Sequence, residues 1–300
     1  MSFRLPLLSA AFLGGTCLLH AAEEPMTAAS LFWLTDPQTQ VSYVEAANGN
    51  LFNELGHHGP AIENQWAGYR MYFNHNLSID ILSKFKPQLE LAQSRWYANE
   101  ALRAEGFGLD NFHVGPEIGL GGVRLWDGEK AVTAETNEKR FAQVIDGNGY
   151  AKIRMTTLGI PLAGEKVDLE VAITVFDTHR HAQVEIFVLS AEPVSLVTGL
   201  VTHDGLKVIQ ESDFLLSWGD YDSATARMAF DVGAAVLYNP DDFQRRQSVE
   251  KNHLVISKPT RYLTYLITTA NALEESDLNQ LAEFEAYVRN LSDQFDALVQ

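Results

Sequence analysis

Chemically active side chains recur at every second position between residues 64 and 74, where an indole, a guanidinium, a phenol and amides alternate with apolar residues. Read as one β-strand, they share a face, because successive strand side chains point to opposite sides. Such a face suits a groove that binds a polar ligand such as a sugar acid. The alternative is an ordinary sandwich strand in which a surface carboxylate neutralises Arg70. The residues on this face are Asn64, Trp66, Gly68, Arg70, Tyr72 and Asn74.

Histidines and carboxylates near this face could supply acid–base chemistry. His58 and Glu63 precede it, and Asp110 and His113 lie three residues apart in a glycine-rich stretch. Loops that are held by a rigid sheet often carry function. Two structural alternatives stay open: an Asx turn with an exposed histidine at 110–113, and a histidine pair at 57–58 of which at most one faces a site.

Signatures of several other enzyme and cofactor classes are absent from the sequence. It contains no Gly-x-Ser-x-Gly, no phosphate-binding loop, no dinucleotide fingerprint and no His-Glu-x-x-His. The one cysteine is Cys17 and the histidines are scattered, so neither a zinc site nor another cofactor is predicted. A calcium site of Asp, Asn and carbonyl oxygens remains open, because its ligands need no fixed spacing.

The charge of the chain restricts its partners. It carries 22 Lys and Arg against 39 Asp and Glu, a formal net charge of −17. Nucleic acids and anionic membranes need a positive footprint, so neither is an expected partner. An acidic substrate would need a local cluster of cations such as Arg70, Arg95 or Arg124.

The first 22 residues have the pattern of a signal peptide. Arg4 precedes an apolar run at 5–19, and small residues follow at Ala21 and Ala22. The run is too short for a confident membrane span. We therefore expect cleavage near Glu23, a periplasmic or secreted mature chain with no membrane insertion, and no disulfide, since Cys17 leaves with the signal.

The rest of the chain, residues 23–300, is predicted to be a single all-β domain. About a dozen β-type runs separated by turn residues indicate a large antiparallel β-sandwich, and no linker or repeat marks a boundary. The opening strand at 41–46 is expected to pair with 78–85, and 90–105 to be a helix or an ordered loop across the sheet. A helical stripe within residues 274–300 predicts a C-terminal helix that covers one sheet, with Ser276 able to cap its start. Its members are Leu281, Phe284, Val288, Leu291, Phe295 and Leu298.

Two groups of motifs resemble the bacterial domain-of-unknown-function family numbered 4861. One group is His58-Gly-Pro, Glu63-Asn64 and Tyr69-Arg70-Met71-Tyr72-Phe73-Asn74; the other begins at Gly108-Leu-Asp110-Asn-Phe-His113-Val-Gly115 and continues to Gly128. In relatives the position of His113 is more often Lys. The resemblance implies a secreted protein that serves the breakdown of plant or algal polysaccharides, especially uronate-containing ones. It also implies a galactose-mutarotase-like super-sandwich.

These residues suit cleavage of a uronate polymer by β-elimination. That reaction needs a group that neutralises the carboxylate, a base for the carbon-5 proton and an acid for the leaving oxygen. Arg70 with Asn64 would bind the carboxylate, and Trp66 would stack on a neighbouring sugar. The base would be His58 or His113, and the acid Tyr72.

The resulting prediction is a polysaccharide lyase whose partner is an acidic oligosaccharide or polysaccharide, with Glu63 and Asp110 among its substrate-binding residues. The alternatives are a glycoside hydrolase with Glu63 and Asp110 as its carboxylate pair, a sugar epimerase using Glu63 and His113, and a non-catalytic oligosaccharide-binding protein. If Arg70 binds the substrate, Arg70→Lys should keep the fold and lose acidic sugars. If Arg70 instead holds a buried carboxylate, the same change should lower the melting temperature.

Overall fold

The computed structural model describes residues 26–95, 97–136, 138–221 and 228–299. The signal peptide predicted for residues 1–22 lies outside these ranges and stays a prediction, as does the periplasmic or secreted location. Within these ranges, no helix is both long and apolar enough to cross a membrane. The strands, in chain order, are β1 (Thr27–Ser30), β2 (Tyr43–Ala46), β3 (Ala61–Asn64), β4 (Ala67–Met71), β5 (Ile79–Ser83), β6 (Arg124–Trp126), β7 (Ala131–Val132), β8 (Lys139–Asp146), β9 (Tyr150–Leu162), β10 (Glu165–Phe176), β11 (Ala182–Val188), β12 (Leu196–Val201), β13 (Lys207–Gln210), β14 (Phe214–Gly219), β15 (Val232–Leu237), β16 (Phe243–Val249), β17 (Asn252–Ser257) and β18 (Tyr262–Asn271). The helices are α1 (Leu91–Ser94), α2 (Glu100–Ala104), α3 (Leu281–Asp293) and α4 (Phe295–Leu298), and 3-10 turns lie at Gly56–His58 and Pro240–Asp242.

Antiparallel pairing joins these strands into three sheets. Nine strands form the order β13-β14-β15-β18-β11-β10-β9-β8-β2, four form β1-β3-β4-β5, and five form β16-β17-β12-β6-β7. Ile153 of the first sheet, Tyr69 of the second and Leu200 of the third belong to one continuous apolar core. The large sheet therefore packs against both smaller ones, and the predicted all-β class with large antiparallel sheets is confirmed.

The predicted strand pairing is wrong. The opening strand β2 does not pair with β5; it lies at the edge of the large sheet against β8, with Val44 opposite Ala142. The neighbour of β5 is β4, where Tyr69 is opposite Ile81. Both β2 and β5 alternate well, so alternation alone does not specify the partner, which is chosen by long-range packing.

The C-terminal helix is confirmed, with a later start than the composition suggested. It begins at Leu281 after Gln280, and the hydroxyl of Ser276 instead accepts the backbone N–H of Leu278 at 3.0 Å. Phe284 and Val288 are fully buried. They pack with Phe214, Leu216, Trp218, Leu237 and Leu266 on the outer face of the large sheet. The helical stripe therefore covers the side of this sheet that the other two sheets leave open.

Candidate functional site

One face of the four-stranded sheet forms the floor of a cavity of about 400 Å³. Its roof, by which we mean the lining residues of α1 together with Tyr97 and Ala98, lies across this face. One wall contains His58 from the first 3-10 turn, and another is the loop 107–115. The described residues of the segment predicted as a helix or an ordered loop at 90–105 thus contain two short helices, of which α1 contributes to the roof.

A two-residue hairpin decides which side chains reach this floor. Glu63 pairs with Gly68 across β3 and β4, so the chain reverses at Gln65 and Trp66 rather than continuing as one strand. Beyond the turn, Arg70 and Tyr72 face the cavity as predicted. Before the turn, Glu63 lines the same cavity opposite Gly68, whereas Asn64 and Trp66 do not.

The placement of Asn64 and Trp66 in the groove is therefore wrong. The Asn64 side chain forms the turn, because its Oδ1 accepts the backbone N–H groups of Trp66 and Ala67, each at 3.0 Å. Its Nδ2 donates to the His179 carbonyl at 2.8 Å. Trp66 lies outside the main cavity, beside Arg180. Neither residue is placed to bind a ligand on the floor.

The Arg70 guanidinium is the centre of the cavity floor, and it is already bonded to two carboxylates. Its Nε and Nη2 donate to Asp80 Oδ2 at 3.0 and 2.6 Å, and Nη2 also donates to Asp110 Oδ2 at 2.7 Å. Nη1 donates to the hydroxyl of Tyr97 in the roof at 3.2 Å. Arg70 is 2% exposed. The fork expected to receive a substrate carboxylate is thus occupied by the protein's own groups.

Asp80 is a buried acceptor. It stands directly opposite Arg70 in the pairing of β4 with β5. Its Oδ2 also accepts the Tyr72 hydroxyl at 2.5 Å, and its Oδ1 accepts the backbone N–H of Ile81 at 2.7 Å. Burial raises the pKa of Tyr72 far above its ordinary value. The phenol predicted to protonate a leaving oxygen therefore stays protonated and donates to Asp80.

Both Asp80 and Asp110 line the cavity, but Asp110 differs in that its side chain is 20% exposed. Burial raises the pKa of this carboxyl to about 7, and the neighbouring Arg70 guanidinium only partly opposes the rise. The Tyr97 hydroxyl is also bonded to it. Asp110 can therefore be present in both protonation states near neutral pH.

The loop that carries Asp110 lies directly on β5. The backbone N–H of Ser83 donates to the Leu109 carbonyl at 3.0 Å. A Cβ added to Gly108 would lie 1.6 Å from the Ser83 carbonyl oxygen, so only glycine fits at this contact. This close approach fixes the position of Asp110 relative to Arg70.

His58 is held with a defined tautomer at the wall formed by the first 3-10 turn. Its Nδ1 lies 2.8 Å from the Phe52 carbonyl, which can only accept, so Nδ1 carries the proton and Nε2 the basic lone pair. The imidazole stacks on the Phe52 ring at 3.9 Å between centroids. Burial lowers the pKa of His58. The ring is therefore neutral near pH 7 and suited to accept a proton at Nε2.

Glu63 is a structural residue. It is fully buried, and its Oε2 bonds the ammonium of Lys84. Its carboxylate also accepts the backbone N–H of Glu90 at 2.8 Å and that of Leu91 at 2.8 Å. Glu63 thus fastens the start of α1, and with it the roof, to the floor. All of its bonding capacity is used by the protein, which opposes the acid–base or substrate-binding roles predicted for it.

His113 lies at the exposed rim of the cavity. Its backbone carbonyl accepts the Nε2–H of His203 at 2.8 Å, and the two rings lie 5.6 Å apart.

Asp80, Phe52 and Tyr97 were not predicted from the sequence. Of these three residues, only Asp80 could have been found from the sequence, because its charge is opposite to that of Arg70 and it lies on a neighbouring strand. In the described part of the chain, no group of three or more His, Cys, Asp or Glu side chains could hold a metal ion.

Solved structures with carbohydrate-related names share a weak likeness of fold with this chain. A heparan sulfate lyase from Pedobacter heparinus matches with 10% identity and a TM-score of 0.35, covering 71% of this chain and 33% of its own. A proposed aldose 1-epimerase from Klebsiella pneumoniae has 7% identity and a TM-score of 0.40, covering 89% and 96%. A proposed kojibiose phosphorylase from the human microbiome has 10% identity and a TM-score of 0.44, covering 89% and 37%.

The chain thus spans about a third of the length of the heparan sulfate lyase. Likeness at this level identifies neither the substrate nor the reaction of this chain. No curated protein matches it. A family model does match, over residues 25–300, which contain the whole described structure and both groups of motifs. The chain therefore belongs to the family described as domain of unknown function DUF4861.

Proposed function

We propose that this protein is a carbohydrate-active enzyme that transfers protons to and from a sugar bound in the cavity, with Asp110 and His58 as its acid and base. The observation that carries this proposal is Asp110, a partly exposed carboxyl in the cavity wall whose pKa is raised to about 7. A proton-transfer group is most effective when its pKa is near the working pH. His58 faces the same cavity with its basic Nε2 and a lowered pKa.

The charges around the cavity favour an uncharged sugar. The Arg70 guanidinium is bonded to Asp80 and Asp110, and the Lys84 ammonium is bonded to Glu63. A substrate carboxylate would have to displace one of these buried partners, which costs several kcal/mol. A neutral sugar needs only hydroxyl hydrogen bonds and contact with the aromatic walls.

Anomeric interconversion is the simplest reaction that these groups could catalyse. His58 Nε2 would take the proton of the anomeric hydroxyl while protonated Asp110 gives its proton to the ring oxygen, which opens the ring. Closing from the other face would return the proton of the ring-oxygen hydroxyl to Asp110, while protonated His58 gives its proton to the carbonyl oxygen. This step needs one acid and one base and no charge on the substrate. It keeps the epimerase alternative but moves the pair from Glu63 and His113 to His58 and Asp110.

The test compares the wild type with Asp110→Asn while freshly dissolved neutral aldoses are followed by polarimetry. We expect the substitution to lower the rate by about 10²-fold or more, the usual contribution of a positioned acid or base. Asp277→Asn, at an exposed position outside the cavity, is the matched control and should retain full activity. Equal rates for the two variants, or a wild type no faster than buffer with every aldose, would reject the proposal.

The second candidate is the β-elimination of uronate chains. It is favoured by the raised pKa of Asp110, because a protonated carboxyl can donate a hydrogen bond to a substrate carboxylate and so assist removal of the carbon-5 proton. His58 would again be the base. The appearance of unsaturated-uronate absorbance with polyuronates, without any acceleration of aldose interconversion, would select this candidate over the first.

A further inference from the structure

We propose that Asp80, which a substrate cannot reach, is a positioning residue that keeps Asp110 able to hold a proton by sharing Arg70 with it. This inference rests on the proposed role of Asp110 as a proton-transfer group. It concerns a residue 1% exposed at the floor of the cavity. The observation behind it is that one guanidinium nitrogen, Arg70 Nη2, serves both carboxylates.

The sharing is unequal. Asp80 Oδ2 accepts both Nε and Nη2 of Arg70, at 3.0 and 2.6 Å, whereas Asp110 Oδ2 accepts only Nη2, at 2.7 Å. Asp80 also accepts the Tyr72 hydroxyl and the backbone N–H of Ile81. Asp80 therefore accepts four hydrogen bonds, two of them from Arg70. The positive charge of Arg70 is largely balanced before Asp110 is considered.

Removing the charge of Asp80 should change the proton affinity of Asp110. Arg70 would then have one carboxylate partner, and an unshared guanidinium beside a carboxyl favours its ionised form. The nearby negative charge of Asp80, which opposes ionisation of Asp110, would also disappear. Both effects have the same direction, so Asp110 would lose its proton at a lower pH.

The other titratable groups that line the cavity near Asp110 do not replace Asp80. Tyr72 and Tyr97 face Arg70 with their rings, at 5.5 and 5.6 Å from its Cζ to the ring centroids. The Tyr72 hydroxyl is protonated and His58 is neutral near pH 7. The remaining lining groups are His113 at the rim and the cluster of Glu63, Lys84 and Glu90 below the roof.

The decisive measurement is a carbon-13 NMR titration of aspartate side-chain carboxyls in the full chain, with the Asp110 resonance assigned by its loss in Asp110→Asn. We expect the wild-type midpoint near 7 to fall by about 1 pH unit or more in Asp80→Asn. Asp168→Asn is the matched control. Asp168 accepts the Gly159 N–H at 2.8 Å and is not among the residues that line the cavity, so its substitution should leave the midpoint unchanged.

A second variant covers the case in which Asp80→Asn fails to fold. Tyr72→Phe keeps the ring but removes one donor from Asp80, so Asp80 should draw more strongly on Arg70. The Asp110 midpoint should then stay the same or rise. A midpoint that falls in Tyr72→Phe, or one that does not move in folded Asp80→Asn, would overturn the proposal.

The titration also separates this inference from the proposed function, because it needs no substrate. If the midpoint moves as expected but no sugar is turned over, the role of Asp80 stands and the proposed reaction fails. If the protein is active, the pH–rate profile of Asp80→Asn should shift to lower pH together with the NMR midpoint. A purely structural role of Asp80 would lower activity at every pH without moving that profile.

Discussion

Replacing Arg70 with lysine tests whether the guanidinium holds the protein's own carboxylates or a substrate. Arg70 makes three charge-assisted hydrogen bonds, two to Asp80 and one to Asp110, and a fourth bond to Tyr97. Lysine keeps the charge but presents one nitrogen, which cannot reproduce the fork. We therefore expect a clear loss of stability, contrary to the sequence-based prediction that the fold would be unaffected.

The magnitude follows from the bonds lost. A hydrogen bond to a charged group contributes about 1.5–3 kcal/mol, and breaking a buried ion pair costs about 3–5 kcal/mol. Lysine should retain part of the pairing, so we expect a loss of about 3 kcal/mol. For a chain of this size that corresponds to a fall in melting temperature of about 6 °C.

The assay is thermal unfolding followed by circular dichroism, with Arg154→Lys as the matched control. Arg154 also makes a two-bond contact, to Glu170 at 2.9 and 2.8 Å, but its side chain is 44% exposed. An exposed ion pair is worth less than about 1 kcal/mol, so the control should hardly change. If Arg70→Lys were as stable as its control while losing affinity for acidic sugars alone, the assignment of Arg70 to internal pairing would be wrong.

Three further predictions concern stability. Burial lowers the pKa of His57 to about 3 from an ordinary 6.5. As the pH falls through 6.5, the unfolded chain therefore binds a proton at His57 before the folded chain does. The free energy of unfolding should fall by about 2 kcal/mol between pH 6.5 and pH 5. His57→Asn should flatten this dependence in denaturant titrations. Glu63→Gln should lose about 3 kcal/mol in guanidinium unfolding, because it leaves Lys84 buried without its carboxylate; a loss below 1 kcal/mol would contradict this. Phe284→Ala should lose about 3–5 kcal/mol by the same measurement through the cavity it creates in the helix–sheet contact, whereas the exposed Tyr262→Ala should lose far less.

The fold class was predictable because it depends on local patterns. Turn residues such as Asp127-Gly128 separate alternating segments, and the spacing of Phe284, Val288 and Leu291 identifies a helical stripe without reference to the rest of the chain. Strand partners are different. The neighbour of β2 is β8, almost 100 residues away, and the sequence of neither strand identifies the other as its partner.

The site was predictable only in part. Alternation correctly placed Arg70 and Tyr72 on the cavity face, and the glycine-rich loop correctly brought Asp110 to it. The hairpin at Gln65 and Trp66 was missed because neither position holds a glycine, the usual signal of a two-residue turn. The Asn64 side chain replaces that signal by bonding the turn backbone.

The position of the C-terminal helix has a consequence for how the protein is made. A ribosome completes β14, β15 and β18 before it adds Phe284 and Val288, which cover their outer face. Until then Phe214, Leu216 and other apolar side chains of that face meet water, and such surfaces recruit chaperones and promote aggregation. A stop codon ahead of residue 281 would leave this surface uncovered permanently, so the shortened chain would aggregate even where its sheets had formed.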